Sequence, residues 1–382
     1  MEAIHKLIRN SGRKQISFAR FMEEALYHET EGYYTKEKTK IGTEGDFYTS
    51  SHVHPVFGWT FGQFFAGVLN TENIAPVICE WGAGDGRFAE AVLDYLQRSE
   101  PELYSDISYL VIEKSRSHRE VMKDRLSDHR KHVRLFEDFV SCSEAVPVFE
   151  GVLFSNELLD AFPVHVLEKY GESYLEIFVT VGADNKLAEV KTVCDNTEIL
   201  DLINMYGPEL PDGHRTEVSP GVKRWVKSVS RWLRKGIAVT VDYGYTNEEL
   251  AAPELKEGSV RGYRSHQIVP DPLLYPGKMD ITAHVHWDAL RALFLKEQFV
   301  EFINTRQGRF LHHAGIFDFL KQPEVTDGPF SETFRLNRAI QNLTSLSGTA
   351  TAFWVNVQSR GLHRTGDWHF YREKEEKVPG RK

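Results

Sequence analysis

The stretch Ile78-Cys-Glu-Trp-Gly-Ala-Gly-Asp-Gly-Arg-Phe88 places three glycines within five positions, directly after a short apolar run and directly before a helical pattern. Gly82, Gly84 and Gly86 allow the backbone to turn tightly and to approach a ligand closely. A glycine turn between a strand and a helix is typical of nucleotide sites at the carboxyl ends of parallel strands. The stretch therefore raises the question of which nucleotide it binds.

Short apolar runs and helical patterns follow one another in the order of an α/β protein. Five runs are predicted strands: 76–81, 107–113, 132–136, 151–155 and 237–243. Helical patterns separate the first three runs, and such alternation indicates a parallel sheet covered by helices on both faces. Two later runs, 300–305 and 352–358, are predicted to complete the sheet.

The segments outside this alternation have patterns of their own. Ser17 is predicted to cap a helix, and a second apolar helix is predicted at about 54–69. Between 164 and 190 apolar and polar residues alternate around two turn sequences, which predicts antiparallel hairpins. The Pro- and Gly-rich stretch 245–280 is predicted to be a long ordered loop, and the charged tail 359–382 to be solvated or loosely docked.

These patterns divide the chain into five expected regions. They are an N-terminal helical cap with a lid loop (1–75), the first part of the α/β core (76–163), an inserted hairpin region (164–214), the remainder of the core with a long loop at 245–282 (215–359), and a charged C-terminal tail (360–382). The lid loop is rich in Gly, Thr, Lys and Tyr, and it is too long and too aromatic for a plain connector.

Composition argues against several classes of protein. The chain has 382 residues, 41% of them hydrophobic, and no apolar run approaches the roughly 20 residues that span a bilayer, so we expect a globular protein with no membrane span. A net charge of −9 argues against binding to duplex nucleic acid. The three cysteines lack C-x-x-C spacing, which argues against disulfides and favours a reducing compartment. No metal is expected, because these histidines match no standard ligand spacing: His266, His284, His286, His312 and His313.

The charges beside the glycine turn decide what it can bind. The third glycine comes one position too early for the dinucleotide fingerprint, and no Walker lysine is present. Glu80 ends the preceding strand and Asp85 lies inside the turn, so a pyrophosphate there would meet two carboxylates. S-adenosylmethionine fits better, because this adenosine ligand carries an ammonium and a sulfonium, and the helix N-terminus after Gly86 could hold its one carboxylate.

Two further acids follow predicted strands. Glu113 ends the second strand, where ribose hydroxyls are bound in such folds. It lies 27 residues past the last glycine instead of the usual ~20, and the insertion at 97–106 accounts for the excess. Asp138 follows the third strand and is placed to meet the adenine amino group. The alternative interpretation is a tight structural turn in an ordinary α/β protein.

Several separated motifs carry a resemblance to a known family. In order along residues 17–359 they are ALYHETEGYY, IGTEGDFYTS, EWGAGDGR, SNELLDAFPV, VDYG, GSVRGYRSH, PGKMDITAHV and QGRFLHHAGI. With these motifs the chain resembles the MidA-like family of class I S-adenosylmethionine-dependent methyltransferases, which includes a mitochondrial arginine methyltransferase. Eight motifs in order are far more specific than any one of them.

The resemblance implies a fold, a cofactor and an acceptor. The fold is a class I methyltransferase sheet, mostly parallel with an antiparallel last strand, with an N-terminal helical cap and inserted β-hairpins. The cofactor is S-adenosyl-L-methionine, with S-adenosyl-L-homocysteine as product, and the favoured acceptor is a protein arginine. The resemblance also implies that Asp46 and Thr49 help to close the cofactor pocket. The chain departs from the family at Ser51-His52, where Pro-Glu is common, and at His286, where an acid is common.

Candidate catalytic residues follow the fourth and fifth strands. SNELLDAFP supplies Asn156 beside the cofactor, and it supplies Glu157 and Asp160, which are one helical turn apart and could grip a fork of N–H donors. Asp242 in VDYG is a third candidate. The alternatives are helix N-terminal charge for the first two acids and capping of local backbone N–H groups for Asp242.

The sequence leaves more than one function open. The leading hypothesis is methyl transfer to a protein by in-line displacement without a metal. The rivals are a small-molecule or RNA methyltransferase, and an S-adenosylmethionine-binding assembly factor with little catalysis. A homodimer is left open, and the expected location is the cytoplasm of a bacterium, or the mitochondrial matrix if the chain is eukaryotic. Four aromatic side chains either line an acceptor groove or pack a lid onto the sheet: Tyr33, Tyr34, Phe47 and Tyr48.

Overall fold

The computed structural model describes residues 1–35, 54–265, 267–324, 328, 330–345, 351–363 and 368–371. Outside the described residues lie most of the expected lid loop and these residues of the site prediction: Asp46, Phe47, Tyr48, Thr49 and His266. The helices are α1 (Glu2–Asn10), α2 (Phe18–Tyr27), α3 (Val56–Glu72), α4 (Arg87–Ser99), α5 (Pro101–Asp106), α6 (Arg116–Arg125), α7 (Phe139–Ala145), α8 (Thr197–Tyr206), α9 (Pro220–Trp232), α10 (Asn247–Leu250), α11 (Trp287–Lys296), α12 (Gln307–His313) and α13 (Glu332–Leu343).

The strands form three sheets. They are β1 (Gln15–Ser17), β2 (Val77–Trp81), β3 (Ser108–Ile112), β4 (Val133–Phe136), β5 (Phe149–Asn156), β6 (His165–Tyr170), β7 (Ser173–Val181), β8 (Leu187–Val193), β9 (Arg215–Val218), β10 (Leu233–Tyr245), β11 (Arg261–Arg264), β12 (Gln267–Val269), β13 (Asp280–Thr282), β14 (Val285–His286), β15 (Val300–Arg306) and β16 (Phe353–Arg360).

The central sheet has the order β4-β3-β2-β5-β10-β16-β15, with β14 beside the end of β10. The first five of these strands are parallel, and β16 is antiparallel to both of its neighbours. All seven predicted strands are confirmed, and so is the mostly parallel sheet. Because the carboxyl ends of parallel strands meet at one edge, Glu80, Glu113 and Asn156 come together there.

Helices cover both faces of this sheet. α3 is apolar around nearly its whole circumference because it is packed between the sheet and other segments: Phe61 contacts Phe154 of β5 on one side and Phe310 of α12 on another, with ring centroids 5.1 and 5.0 Å apart. On the opposite face, Trp225 and Trp232 of α9 are buried. Within the described part of the chain, no helix is both long enough and apolar enough to cross a membrane.

A second, antiparallel sheet contains the alternating segment after β5. Strands β6, β7 and β8 are consecutive hairpin partners, with turns at Gly171 and Asn185 in left-handed conformations. β1 also joins this sheet, pairing Ile16 with Val179. This pairing is not predicted by the sequence pattern, and it holds α2, which Ser17 caps as expected, beside the edge of the central sheet.

Two segments differ from their expected structure. The stretch at 245–282 contains α10 and the three-stranded sheet β12-β11-β13, so the expectation of a long loop was wrong there; its strands are too short to show alternation. The described part of the tail, 368–371, packs on α3, where Trp368 is buried and donates to a Glu72 carboxylate oxygen at 2.9 Å. Phe370 and Tyr371 also contact Phe64 of α3, with ring centroids 5.8 and 5.9 Å apart, so this part of the tail docks through aromatic rings that bury a large apolar area.

Candidate active site

The glycine turn after β2 needs glycine for both conformation and space. Gly82, Gly84 and Gly86 have φ values of 83°, 57° and 84°, which L side chains rarely adopt. A Cβ on Gly82 would lie 2.9 Å from the Leu158 Cδ1 atom, and one on Gly86 would lie 2.7 Å from the Met122 Cγ atom. Glycine at these two positions therefore lets the turn pack directly against Leu158 and Met122.

Glu113 is held beside this turn by backbone hydrogen bonds. Its Oε2 accepts from the Gly84 N–H at 2.9 Å and its Oε1 from the Ser115 N–H at 2.7 Å. A carboxylate has about four acceptor sites, so lone pairs remain for hydroxyl groups of a ligand. The predicted position of this acid at the end of the second strand is therefore matched by a rigid local geometry.

Glu80 is a buried carboxyl at the end of β2. The Tyr109 hydroxyl donates to its Oε2 at 2.8 Å. Burial raises the pKa of Glu80 to about 8, because the charged form loses water that the single hydrogen bond does not replace. The nearby charges of Glu113 and Asp85 raise this pKa further. A cationic ligand would stabilise the ionised form of Glu80.

Asp85 is paired with arginines instead of standing as an uncompensated charge in the turn. Its Oδ2 lies 2.9 Å from the Arg87 Nε and 3.3 Å from an Arg125 guanidinium nitrogen. Arg125 also donates to the Asp85 carbonyl at 2.9 Å. Asp85 was expected to be one of the acids that favour a cationic ligand; α6 brings Arg125 from forty positions along the chain to share its charge, and its effect on the ligand stays a prediction.

Asp138 follows β4 as predicted, and it caps α7. Its carboxylate accepts from the Ser141 N–H at 2.8 Å, and this bond lowers the pKa of Asp138. The side chain is exposed at the sheet edge. Contact with an adenine amino group stays a prediction.

The loop after β5 is not the helical turn that the sequence predicted. Glu157 has a φ of 50°, its N–H donates to the Val241 carbonyl at 2.9 Å, and the chain then runs irregularly into β6. The residues that follow form turns and bends, with no helix before β6, and Pro163 further limits the backbone. The interpretation of Glu157 and Asp160 as helix N-terminal charges is therefore also wrong.

Asn156 contacts Glu157 at the carboxyl end of β5. Its Nδ2 donates to the Glu157 Oε1 at 3.1 Å. Its own Oδ1 is buried and has no hydrogen-bond partner among the described residues. A buried amide oxygen without a donor is costly, and it fits a place where a ligand supplies one.

Asp242 anchors this loop from the end of β10. Its Oδ2 accepts from the Leu159 and Asp160 N–H groups at 3.0 and 3.3 Å, and its Oδ1 accepts from the Tyr243 N–H at 3.0 Å. It is fully buried, and burial, followed by the charges of Asp160 and Glu157, raises the pKa of Asp242 well above its usual range. Asp242 therefore has the geometry expected of a carboxylate that caps local backbone N–H groups, which was the alternative to a catalytic role.

Asp160 is the other buried acid of the loop. The Tyr243 hydroxyl donates to its Oδ2, while its Oδ1 is buried without a hydrogen-bond partner in the described chain. Burial raises the pKa of Asp160 to about 6. Its backbone carbonyl accepts from the Ala283 N–H at 2.9 Å, which joins the loop to the segment that follows β13.

The structure also brings in residues that the site prediction missed. Tyr27 of α2 donates to the Ala161 carbonyl at 3.0 Å, and Tyr34 donates to the Asp280 Oδ1 at 2.9 Å. Tyr34 had been predicted either to line an acceptor groove or to pack a lid, whereas the only signals for Tyr27 and Asp280 were the motifs ALYHETEGYY and PGKMDITAHV, which carry the family resemblance. Across the described ranges, no three His, Cys, Asp or Glu side chains are grouped so that they could hold a metal ion.

The order of the central sheet, the glycine turn after β2 and the acid after β3 together define the α/β methyltransferase class. The family model described as "Putative S-adenosyl-L-methionine-dependent methyltransferase" matches residues 63–303. The chain belongs to this family and is an S-adenosylmethionine-dependent methyltransferase. The resemblance inferred from the motifs is thus confirmed.

Relatives with names and solved structures agree with this class. The chain is 26% identical over 330 residues to "Protein arginine methyltransferase NDUFAF7 homolog, mitochondrial" of Caenorhabditis elegans, covering 81% of this chain and 74% of that protein. It is 26% identical over 314 residues to NDUFAF7 of Mus musculus, covering 76% and 68%. A COG1565 superfamily member from Burkholderia thailandensis, crystallised with S-adenosyl-homocysteine, superposes with a TM-score of 0.83 at 27% identity, covering 95% and 92%.

Proposed function

We propose that the chain transfers a methyl group from S-adenosylmethionine to an arginine side chain of a protein. The observation that carries this proposal is the buried Asp160 carboxylate just past β5, one oxygen of which has no hydrogen-bond partner among the described residues. A cationic side chain with several N–H donors matches such a site, whereas a phosphate or an apolar acceptor does not. The relatives named protein arginine methyltransferases give independent support.

We assign cofactor binding to the edge of the sheet at the glycine turn. The residues are Glu80, Gly82, Gly84, Gly86, Glu113, Asp138 and Asn156, with Asp46 and Thr49 carried over from the family resemblance. The tight turn of positive-φ glycines, which lets the backbone approach a ligand closely, and the buried Glu80 carboxyl both suit a cationic adenosine ligand. When bound, the cofactor supplies an electrophilic methyl group.

Glu157 and Asp160 are the proposed partners of the acceptor guanidinium. Arginine has a pKa above about 12, so its side chain must be oriented and must lose a proton as it is methylated. The left-handed backbone of Glu157 is strain of the kind that active sites retain. Asp242 is proposed to position this loop and not to touch the acceptor, because its oxygens accept three backbone N–H bonds.

Transfer of a labelled methyl group into cell lysate tests this function. The expected product is label that protease releases and nuclease does not, recovered as methylarginine after acid hydrolysis. Label in nucleic acid or in the small-molecule fraction would mean that the methyl acceptor is an RNA or a small molecule and not a protein arginine. Binding of S-adenosyl-homocysteine without any transfer would favour the assembly-factor role.

The Glu157→Gln variant tests the role of this residue. We expect kcat to fall by about 10²-fold or more, because a general base contributes that much, while affinity for S-adenosyl-homocysteine stays unchanged. The control is Glu172→Gln, at an exposed hairpin turn, which should transfer methyl at the wild-type rate. If the Glu157→Gln variant transferred methyl groups at the wild-type rate, the Glu157 carboxylate would have no catalytic role.

We further propose the five regions expected from the sequence as divisions of one folded unit, because β1 from the first region and β9 from the fourth pair with strands of the hairpin region. The proposed location is the cytoplasm in a bacterium and the mitochondrial matrix in a eukaryote, and the eukaryotic relatives above carry "mitochondrial" in their names. Fluorescent tagging of the full chain in its own cell tests the location.

A further inference from the structure

Two buried carboxylates from distant parts of the chain share one tyrosine-lined region. Asp160 follows β5 and Asp280 begins β13, and their side chains are only 4% and 3% exposed. Each accepts from a tyrosine hydroxyl, Asp160 from Tyr243 and Asp280 from Tyr34. The main chain joins the two segments, because the Ala283 N–H donates to the Asp160 carbonyl.

Two more tyrosines complete this group. Tyr27 stacks on Tyr34, with ring centroids 5.5 Å apart and ring planes inclined by 25°. Tyr263 of β11 is the strand partner of Asp280. We call this group the tyrosine–aspartate cluster, and its members are Asp160, Asp280, Tyr27, Tyr34, Tyr243 and Tyr263.

The cluster lies next to the cofactor edge of the central sheet. Burial raises the pKa of Tyr27 well above its usual value, and the charges of Asp280, Asp160 and Glu113 raise it further in that order. Lys114, the residue after Glu113, has its Nζ 5.0 Å from the centroid of the Tyr27 ring, so Tyr27 lies beside the segment that carries the acid of the glycine turn. An acceptor held by the cluster would be adjacent to the cofactor.

Within the cluster, the Asp160 carboxylate has an oxygen without a hydrogen-bond donor among the described residues, and a cation would supply one. Buried carboxylates are costly unless charge and hydrogen bonds compensate them. No lysine or arginine of the described residues forms an ion pair with Asp160, and its Oδ1 lacks a donor. A guanidinium presents five N–H donors in one plane, is weakly hydrated for a cation, and stacks on aromatic rings. A nucleic-acid phosphate would be repelled by the same two acids.

We propose that the tyrosine–aspartate cluster is the recognition site for the guanidinium of the acceptor, with Asp280 and Tyr34 as specificity-determining residues. This rests on the proposed function, since it presumes an arginine acceptor. Asp160 and Asp280 accept the N–H groups, and the tyrosine rings flank the cation. α2 and the residues after it belong to the acceptor site, because they carry Tyr27 and Tyr34.

Calorimetric binding of a small arginine derivative tests the site without requiring turnover. N-acetyl-arginine methylamide is titrated into the full chain saturated with S-adenosyl-homocysteine, and N-acetyl-citrulline methylamide serves as its neutral near-isostere. We expect the arginine probe to bind at least about tenfold more tightly than the citrulline probe. We expect Asp280→Asn to remove that preference and Tyr34→Phe to reduce it. The control Asp271→Asn, an exposed acid of the same segment, should keep the wild-type preference.

Each variant is first checked for wild-type affinity toward S-adenosyl-homocysteine, which shows that it has folded. Equal binding of the two probes by wild type, no binding of the arginine probe, or an unchanged preference in Asp280→Asn would each overturn the inference. If lysate proteins are nevertheless methylated on arginine, the proposed function stands and only the recognition site is wrong. A clear preference for the arginine probe without any methyl transfer would mean that the recognition site is right and the proposed function is wrong.

Discussion

Glu80 is a buried side chain whose protonation is coupled to the binding of a ligand. Its raised pKa of about 8 means that the carboxyl is mostly protonated at pH 7 in the free chain. The unfolded value is about 4.3, so the stability contribution of this group is fully present below about pH 4 and is lost as pH rises through 8. A cationic ligand would lower the pKa and make Glu80 release its proton.

Binding of S-adenosylmethionine, which carries the sulfonium charge, should therefore release close to one proton at pH 7, and its affinity should increase with pH up to about 8. Calorimetry in two buffers of different ionisation enthalpy measures the proton directly. Glu80→Gln has no proton to release, so its affinity should be independent of pH in this range. Wild-type binding without proton release would show that the ligand does not compensate the Glu80 charge.

At the scale of elements, the glycine turn combines backbone strain with close packing. Gly82 has a positive φ, and a Cβ placed on it would lie 2.9 Å from the Leu158 side chain, whereas Gly171 in the β6–β7 hairpin has a positive φ and nothing within 4 Å of that position. Alanine substitutions at the two glycines therefore share the cost of a strained backbone, and only the substitution at Gly82 adds a close contact with Leu158.

Gly82→Ala and Gly171→Ala should each lower the free energy of unfolding by about 1–2 kcal/mol, because an L residue is strained at these φ values. Only Gly82→Ala should also weaken binding of S-adenosyl-homocysteine. Chemical denaturation measures the first effect and calorimetry the second. Unchanged affinity in Gly82→Ala would argue that the ligand does not approach this turn.

The element scale also shows where sequence patterns were sufficient. The seven core strands, five of them parallel, were predicted because a buried strand is a short apolar run bounded by turn residues. The segment after β5 was predicted as hairpins because one-sided burial produces alternation. The helical turn at Glu157 was not supported, because backbone contact with Val241 from another strand sets its φ.

At the scale of the whole molecule, the described part of the tail is bound to the core. The Trp368 ring lies 4.1 Å from the Phe302 ring, centroid to centroid, and its Nε1 donates to Glu72. α3 is thereby covered on a face that would otherwise expose aromatic side chains to water.

Trp368→Ala should lower the free energy of unfolding by about 3–5 kcal/mol, because it removes a buried aromatic ring and a hydrogen bond to a buried carboxylate. Denaturant titration followed by far-UV circular dichroism measures this change. Phe330→Ala provides the control, since Phe330 is 81% exposed and its loss should change stability little. Equal stabilities of the two variants would mean that the tail does not contribute to the folded core.

The sequence by itself determined the α/β class, the glycine turn and the nature of its ligand. These depend on residues that are neighbours in the chain: strand and helix periodicity, the φ demands of glycines, and acids at strand ends. Only the tertiary structure decided which charges remain at the site. It pairs Asp85 with Arg125, directs Asp242 to backbone N–H groups, and brings Tyr34 to Asp280 across 246 positions. Such contacts depend on how separate segments pack, and no local pattern encodes that packing.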